Sequence, residues 1–473
     1  MATATATATA MTEPTATELT SLGVGAALDL LRRGEISASE LTEAHLARIA
    51  DPAMPPHTHI SIDADGARAA AHALDQLPAQ RRGALHGIPW GCKDLFHAAG
   101  LATTAGSRVL ASEPPASSDA HSVARLRAAG AVLLGKHNLH EFAYGANGEN
   151  AFTGTVPNPC DHSRLAGGSS SGSAAAVACG QAMFALGTDT GGSVRAPAAL
   201  CGVVGFKPSR GRISTRGVIP YSWTLDHVGI LTRSVADAAL ILRELAGFDA
   251  EDPASAEQPV ADYPAALLTG DAGRGLRVGV PRDFFFDAVD AQILAASEAA
   301  MATLAAAGAE LVDVQMPDLQ HSRDVSLSVQ MPEALSYHSR YLPARRALYG
   351  EDFGAGLAVG QFILAESYVR ALRMIGRYRR QMAAIFDSVD LLITPAVPCV
   401  APPIGSTHIE LGGRSLPVGN ALTRNTSFFN MSGNPAISIP AGRHDSGLPM
   451  AVQLVAAPFA EARLLAAARL LHD

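Results

Sequence analysis

The spacing of apolar and polar positions changes several times along the chain, and each change marks an element. Residues 16–50 carry helical spacing and read as two helices, with Ser37 and Ser39 as candidate caps around the break at 34–40. Residues 83–92, GALHGIPWGC, form a short apolar run that predicts a buried strand ending at Lys93. An amphipathic helix is predicted over 118–129, followed beyond Gly130 by an apolar strand over 131–134. The same order returns later, with a strand at 276–280, a helix at 288–307 and a strand at 309–314. Strand–helix–strand units in both halves imply an α/β fold whose parallel or mixed sheet is covered by helices.

Two further strands are predicted at 391–394 and 435–440. The Ala-, Asp- and Pro-rich stretch 247–272 reads as a long surface connection, and it is where a domain boundary would fall. The later strands look like members of the same sheet, so one domain over 16–473 is expected. Residues 1–15 open on an Ala-Thr alternation without a basic region or a long apolar core, and read as a disordered tail rather than a secretory signal. No repeat at a fixed period is apparent.

Composition narrows the classes. A hydrophobic fraction of 48% with 17% charged residues describes a well-buried globular chain of 473 residues. The net charge of −8 implies no nucleic-acid or anionic-membrane surface. No run of eighteen apolar residues predicts a membrane span. The 5 cysteines, without CxxC spacing, read as reduced thiols of a cytoplasmic protein. His137 and His140 lie three apart but lack a third ligand with a recognisable spacing, so no metal is expected.

Residues 167–195, GGSSSGSAAAVACGQAMFALGTDTGGSVR, hold the candidate chemistry. Two Gly-Ser loops flank a small-residue stretch of helical length, 174–186. Glycine lets such loops approach a substrate closely, and their backbone N–H groups can cradle an anionic oxygen. That combination suits acyl transfer. The same string also describes a tightly packed small-residue helix between glycine turns.

Two nearby patterns are weaker. Gly168–Gly172 matches GxSxG around Ser170, but the nucleophile elbow of α/β-hydrolases needs a strand before it, and a loop rich in Pro, Asn and Asp precedes here. GAVLLGK at 130–136 approaches a phosphate loop, yet His137 stands where a hydroxyl would bind Mg, and the apolar residues between suit a strand.

GGSSSGSAAAVA followed by ALGTDTGGSVRAPAALCGVVGFKPSRGR closely resembles the amidase signature family. The resemblance continues upstream in GIPWGCKDLF and LLGKHNLHEFAYG, and downstream in TLDHVGILTRSVADAA, ITPAVPCVAPPIG and GNPAISIPAG. It implies a single-domain α/β/α sandwich with a large twisted mixed sheet. It also implies a Lys–Ser–Ser triad: Lys93 as base, Ser169 as a bridging serine behind a cis peptide, and Ser193 as nucleophile. Thr190, Gly191, Gly192 and Ser193 would supply the oxyanion-binding N–H groups. No cofactor is implied.

The chemistry explains these residue types. A serine needs a base to become a nucleophile. A lysine with a pKa of ~10.4 is well under about 0.1% neutral at pH 7, but burial can lower it by several pKa units. Ile88, Trp90, Cys92, Leu95 and Phe96 around Lys93 suit such burial; the adjacent Asp94 opposes it unless its side chain points away. Only Lys93, Lys136 and Lys207 are lysine, and arginine could not serve as this base because it does not deprotonate in a protein. Ser170, Ser171 and Ser173 are expected to be supporting hydroxyls, Asp189 and Arg195 to orient the nucleophile loop, and Lys136 and Lys207 to be structural donors.

The expected function is hydrolysis of C–N bonds in small non-peptide amides, extending to aryl amides and carbamates, by a cytoplasmic monomer or homodimer that needs no nucleic acid or membrane. The alternative is the A subunit of a glutamine-dependent aminoacyl-tRNA amidotransferase. That subfamily places an acidic residue seven positions before its N-x-x-G-x-P motif, where this chain has Thr423; the nearest acid is Glu410. A non-enzymatic binding protein on the same scaffold is disfavoured by the intact triad positions. Tyr144, Tyr221 and Trp223 are the candidate substrate-binding residues, with Pro220, Met331, Tyr337, Tyr341, Phe428 and Phe429 as further apolar walls.

Overall fold

The computed structural model describes residues 15–268 and 272–472. One mixed sheet of eleven strands organises it. In chain order these are β1 (His59–Ile62), β2 (Pro89–Lys93), β3 (Val132–His137), β4 (Phe184–Asp189), β5 (Val204–Lys207), β6 (His227–Thr232), β7 (Arg277–Val280), β8 (Glu310–Asp313), β9 (Leu391–Pro395), β10 (Ala436–Arg443) and β11 (Pro449–Ala456). Across the sheet they run β1-β3-β2-β4-β6-β5-β10-β11-β9-β7-β8. β3, β2 and β4 are parallel neighbours, as are β9, β7 and β8 at the other end. The strands between are antiparallel.

The two strand–helix–strand units predicted from the sequence are these two parallel ends. Helix His121–Ala128 connects β2 to β3, and helix Ala291–Ala306 connects β7 to β8. Every residue of β2, β3, β4 and β6 is buried, which is why their sequences read as apolar runs rather than alternating ones. The polar residues these strands do contain, such as Lys93 and Asp189, are therefore held away from bulk water by the sheet itself.

Three early elements differ from expectation. Residues 16–50 form three helices, Ala16–Ser21, Val24–Arg33 and Ala38–Ala50, because the chain breaks at Leu22 and Gly23 as well as at Gly34. Ser37 caps the third helix in a capping box with Glu40, whereas Ser39 donates to Asp75 instead. The buried run 83–92 contributes only its last part to the sheet, as β2. Of the expected tail, only Thr15 lies within the described residues, where it caps the first helix with Glu18.

The largest correction concerns 174–186. The helix covers only Ser171–Ala178, Gly180 turns the chain with φ +70, and Phe184 begins β4. Its alanines satisfy a helix, but the apolar residues that follow are claimed by pairing with β2 and β6. A helix leading away by about 12 Å and a strand returning by about 20 Å bring both Gly-Ser loops to the same end. A continuous helix would have held them apart.

The segment 247–272 lies mostly within the described residues, 269–271 excepted. It is tied down rather than loose: Asp249 and Asp252 accept hydrogen bonds from Ser214 and Thr215, and Tyr263 is buried. Strands on either side of it belong to one sheet, so it divides nothing. Among the described residues no helix is long and apolar enough to cross a membrane.

Candidate active site

Lys93 ends β2 with neighbours on both sides, β3 and β4, and its side chain is fully buried. Its Nζ lies 2.7 Å from Ser169 Oγ and 2.8 Å from Thr188 Oγ1. Burial draws its pKa down to about 7, against the opposing pull of the Asp226 and Asp189 charges. Asp94 does point away. Its oxygens accept from Lys136 Nζ at 2.8 Å and from Thr104, so the carboxylate next in sequence serves a different cation. Lys136 is thereby a structural partner, as is Lys207, whose side-chain amine donates to the carbonyls of Pro208 and Asn434.

The peptide between Gly168 and Ser169 is cis. Ser170 N–H donates to the Ser193 carbonyl at 3.1 Å, which joins the two Gly-Ser loops directly. Ser170 Oγ donates to the Thr188 carbonyl and Ser173 Oγ to the Leu186 carbonyl, so these hydroxyls fasten the loop and helix to β4. Ser171 Oγ is buried without a hydrogen-bond partner among the described residues. The GxSxG serine is therefore occupied in the scaffold, and what precedes it is a small hairpin, Pro157–Asn158 and Asp161–Leu165, not a strand of the main sheet.

Asp189 and Arg195 form a wholly buried ion pair at 2.8 Å under the loop that carries Ser193. Asp189 accepts from Gly192 N–H at 2.8 Å and Val194 N–H at 3.1 Å. Arg195 in turn donates to Gln453, Asn430 and the Thr426 carbonyl. The loop carrying Ser193 is thus held by a network reaching strands and helices more than two hundred residues away. This corrects one expectation: the Gly192 N–H is already taken by Asp189, which leaves Thr190, Gly191 and Ser193 as the candidate oxyanion donors. Gly192 is needed for another reason. It adopts φ +126, and a Cβ there would lie 2.0 Å from Thr426 Oγ1.

Ser193 opens into a cavity of about 180 Å³ lined also by Thr190, Gly191, Tyr144 and Tyr221. Its hydroxyl makes no hydrogen bond to another described residue, including Ser169. Thr190 Oγ1 donates to Asp226, whose other oxygen accepts from the N–H groups of Tyr221 and Ser222. Burial raises Asp226 to about 6 despite those donors. This buried carboxylate couples the loop at Thr190 to the Tyr221 wall, and no local pattern singles it out.

Two of the three candidate substrate-binding residues, Tyr144 and Tyr221, reach the cavity. Trp223 does not: it is 51% exposed and lines a separate hollow with Pro220 and Arg216. The turn at Ser222 sends the two aromatic side chains of this loop to different surfaces. Met331 lines the cavity as expected. Tyr337 and Tyr341 pack instead around His338, and Phe428 and Phe429 belong to the core near Tyr378 and Phe285. Thr423 lines the cavity; Glu410 sits in an outlying hairpin.

Of one wall the sequence named a single residue, Met331. Helix Ser322–His338 presents Arg323, Ser326, Leu327, Gln330 and Met331 to the cavity. The spacing of three and four residues is that of one helix face. This signal was present, but nothing local says which face meets Ser193. Among the described residues no three His, Cys, Asp or Glu side chains gather where a metal ion could be held. His137 instead packs edge-on against His59, and His140 pairs with Asp352.

A fold of this kind, with its serine loops at one end of a mixed sheet, matches enzymes that hydrolyse carbon–nitrogen bonds. The family described as Amidase matches residues 40–465. The A subunit of a glutamyl-tRNA(Gln) amidotransferase from Anaeromyxobacter sp. (strain K) is 42% identical, over 97% of this chain and 97% of its own length. An amidase from Pseudomonas putida is 40% identical over 91% of both. The solved structure reported as "An unexpected vestigial protein complex reveals the evolutionary origins of an s-triazine catabolic enzyme" superposes with a TM-score of 0.91 at 36% identity, covering 95% of this chain and 98% of that one. The chain belongs to the amidase signature family, and it is a hydrolase of carbon–nitrogen bonds.

Proposed function

We propose that this chain hydrolyses small non-peptide amides, extending to aryl amides and carbamates, through an acyl-enzyme on Ser193. The observation that carries the reading is Lys93: a buried amine, poised near neutrality, in hydrogen-bond contact with the serine next to the nucleophile loop. Neutral Lys93 accepts the Ser169 proton as Ser169 accepts the Ser193 proton, and Ser193 Oγ attacks the amide carbonyl. The resulting oxyanion is held by the N–H groups of Thr190, Gly191 and Ser193; losing one such donor typically costs about 100–1000-fold in rate. Protonation of the leaving nitrogen travels back along Lys93 and Ser169. Water then resolves the acyl-enzyme through the same groups. Contacts between Ser169 and Ser193 of this kind commonly close only in the substrate complex.

A free-standing amidase is supported by the cavity's lining, in which no described residue is a carboxylate that could receive the α-ammonium of glutamine. The test is hydrolysis of an anilide or a nitrophenyl carbamate by the purified chain, and its loss in Ser193→Ala. Full activity in that variant rules the mechanism out.

A second reading, the A subunit of a glutamine-dependent tRNA amidotransferase, is favoured by relatives of that name at 39–42% identity over 95–97% of this chain. It requires glutaminase activity that appears only with partner subunits and ATP. Turnover of glutamine under those conditions, and of no amide by the chain alone, would establish it.

A further inference from the structure

Arg323 stands apart from every other residue around Ser193. Among the described residues lining the 180 Å³ cavity it is the single charged one. The other polar walls are hydroxyls and amides: Ser326, Gln330, Asn420, Thr423 and Ser427. Among the described residues Arg323 makes no ion pair and no hydrogen bond, although most arginines of this chain are engaged by a carboxylate or a carbonyl. Asp324 follows it on the same helix, but adjacent helical positions diverge by about 100°, and the two side chains form no pair. The phenols it faces, Tyr144 and Tyr221, are pushed up by burial and stay neutral. The guanidinium therefore presents free donors to the cavity, with no described carboxylate in contact to neutralise them.

Its position is as informative as its charge. Arg323, Asn420, Thr423 and Ser427 also line a larger neighbouring cavity of about 690 Å³, so they mark the junction between the two. In the outer cavity the charges are mixed. Arg414 and Arg424 are both paired with Asp287 there, and Asp283 and Asp318 line the same wall. A lone anionic group is thus accommodated at the junction rather than farther out. Arginine suits a carboxylate particularly well, because its planar fork matches two oxygens at once.

We propose that Arg323 binds a carboxylate of the substrate, so that the preferred substrates are small amides carrying a free carboxylate and no neighbouring ammonium group. This rests on the amidase reading for Ser193. The carboxylate would sit at the junction while the amide carbonyl reaches Ser193, which selects short monoamides of dicarboxylic acids over neutral amides. It also disfavours glutamine, whose ammonium finds no counter-charge in the inner cavity.

The test compares malonamate and succinamate with the neutral diamides malonamide and succinamide and with glutamine. Wild-type kcat/KM is expected to favour the carboxylated amides. Arg323→Gln should lower kcat/KM for them by about 10- to 100-fold, the range for a hydrogen bond to a charged group, and change the neutral amides by less than about twofold. Arg323→Lys should recover part of the loss, since it restores the charge without the fork. Equal losses on charged and neutral amides, or turnover of glutamine as good as that of succinamate, overturn the proposal. Binding of succinamate to Ser193→Ala, measured by calorimetry, separates it from the amidase reading. Binding that disappears in Ser193→Ala/Arg323→Gln, without hydrolysis by the wild type, would leave the carboxylate site standing and remove the hydrolase. Hydrolysis of neutral amides with no carboxylate binding would do the reverse.

Discussion

Lys93 Nζ lies 2.7 Å from Ser169 Oγ across 76 residues of chain. A buried amine gains little from a neutral hydroxyl, so this contact does not hold the lysine in its charged form. Burial is therefore free to draw its pKa to about 7, and only the more distant charges of Asp226 and Asp189 oppose it.

The pH dependence follows with a definite sign. Lys93 works as a base only when neutral, so kcat/KM should rise with pH through about 7 with a slope of one proton and level off above it. Because the Asp226 charge favours protonated Lys93, Asp226→Asn should move this limb to lower pH. A limb that stays in place, or moves upward, contradicts the assignment. The check is a pH–rate profile of both proteins.

Replacing Lys93 with methionine keeps the apolar stem and removes the base. Activity on a nitrophenyl carbamate should fall by roughly 100–10,000-fold, with the far-ultraviolet circular dichroism unchanged. Steady-state assays at pH 8, where wild-type Lys93 is mostly neutral, give the cleanest comparison.

Asp189 and Arg195 are both fully buried. Asp189→Ala leaves the Arg195 guanidinium without its charge partner and frees the N–H groups of Gly192 and Val194. The expected loss is about 3–5 kcal/mol, read from urea unfolding midpoints. A change below about 1 kcal/mol would mean that Gln453, Asn430 and Thr426 satisfy Arg195 by themselves.

Gly192→Ala should impair the protein without touching any reactive group. The new Cβ would stand 2.0 Å from Thr426 Oγ1, at a φ of +126. The loop must shift, so both thermal stability and kcat are expected to drop together. Unaltered kinetics in this variant would show that the loop has more freedom than its hydrogen bonds suggest.

Trp223 and Tyr221 offer a paired control two residues apart. Tyr221→Ala enlarges the cavity at Ser193 and should raise KM for aryl substrates several-fold, whereas Trp223→Ala, on a separate exposed surface, should leave kinetics within about twofold. The reverse pattern would restore Trp223 as a substrate contact.

The sequence alone determined what depends on short-range pattern. The apolar runs at 83–92, 131–134 and 391–394 pointed to the strands found at 89–93, 132–137 and 391–395, because a fully paired, buried segment is apolar on both faces. The Gly-Ser loops and the K-D dipeptide marked Lys93, Ser169 and Ser193 as candidates through resemblance to a family whose motifs cover most of the chain. Tertiary structure decided the rest, because it depends on which faces of distant segments meet. The helix predicted at 174–186 stopped at Ala178 when β2 and β6 claimed the residues beyond Gly180. The Gly192 N–H is engaged by a carboxylate three residues earlier, a hydrogen bond no spacing announces. Arg323 lies 130 positions from Ser193 in the chain, on a helix whose pattern marks an inward face without saying what that face encloses. Periodicity encodes burial within one element; the partner across a cavity is set by packing between elements.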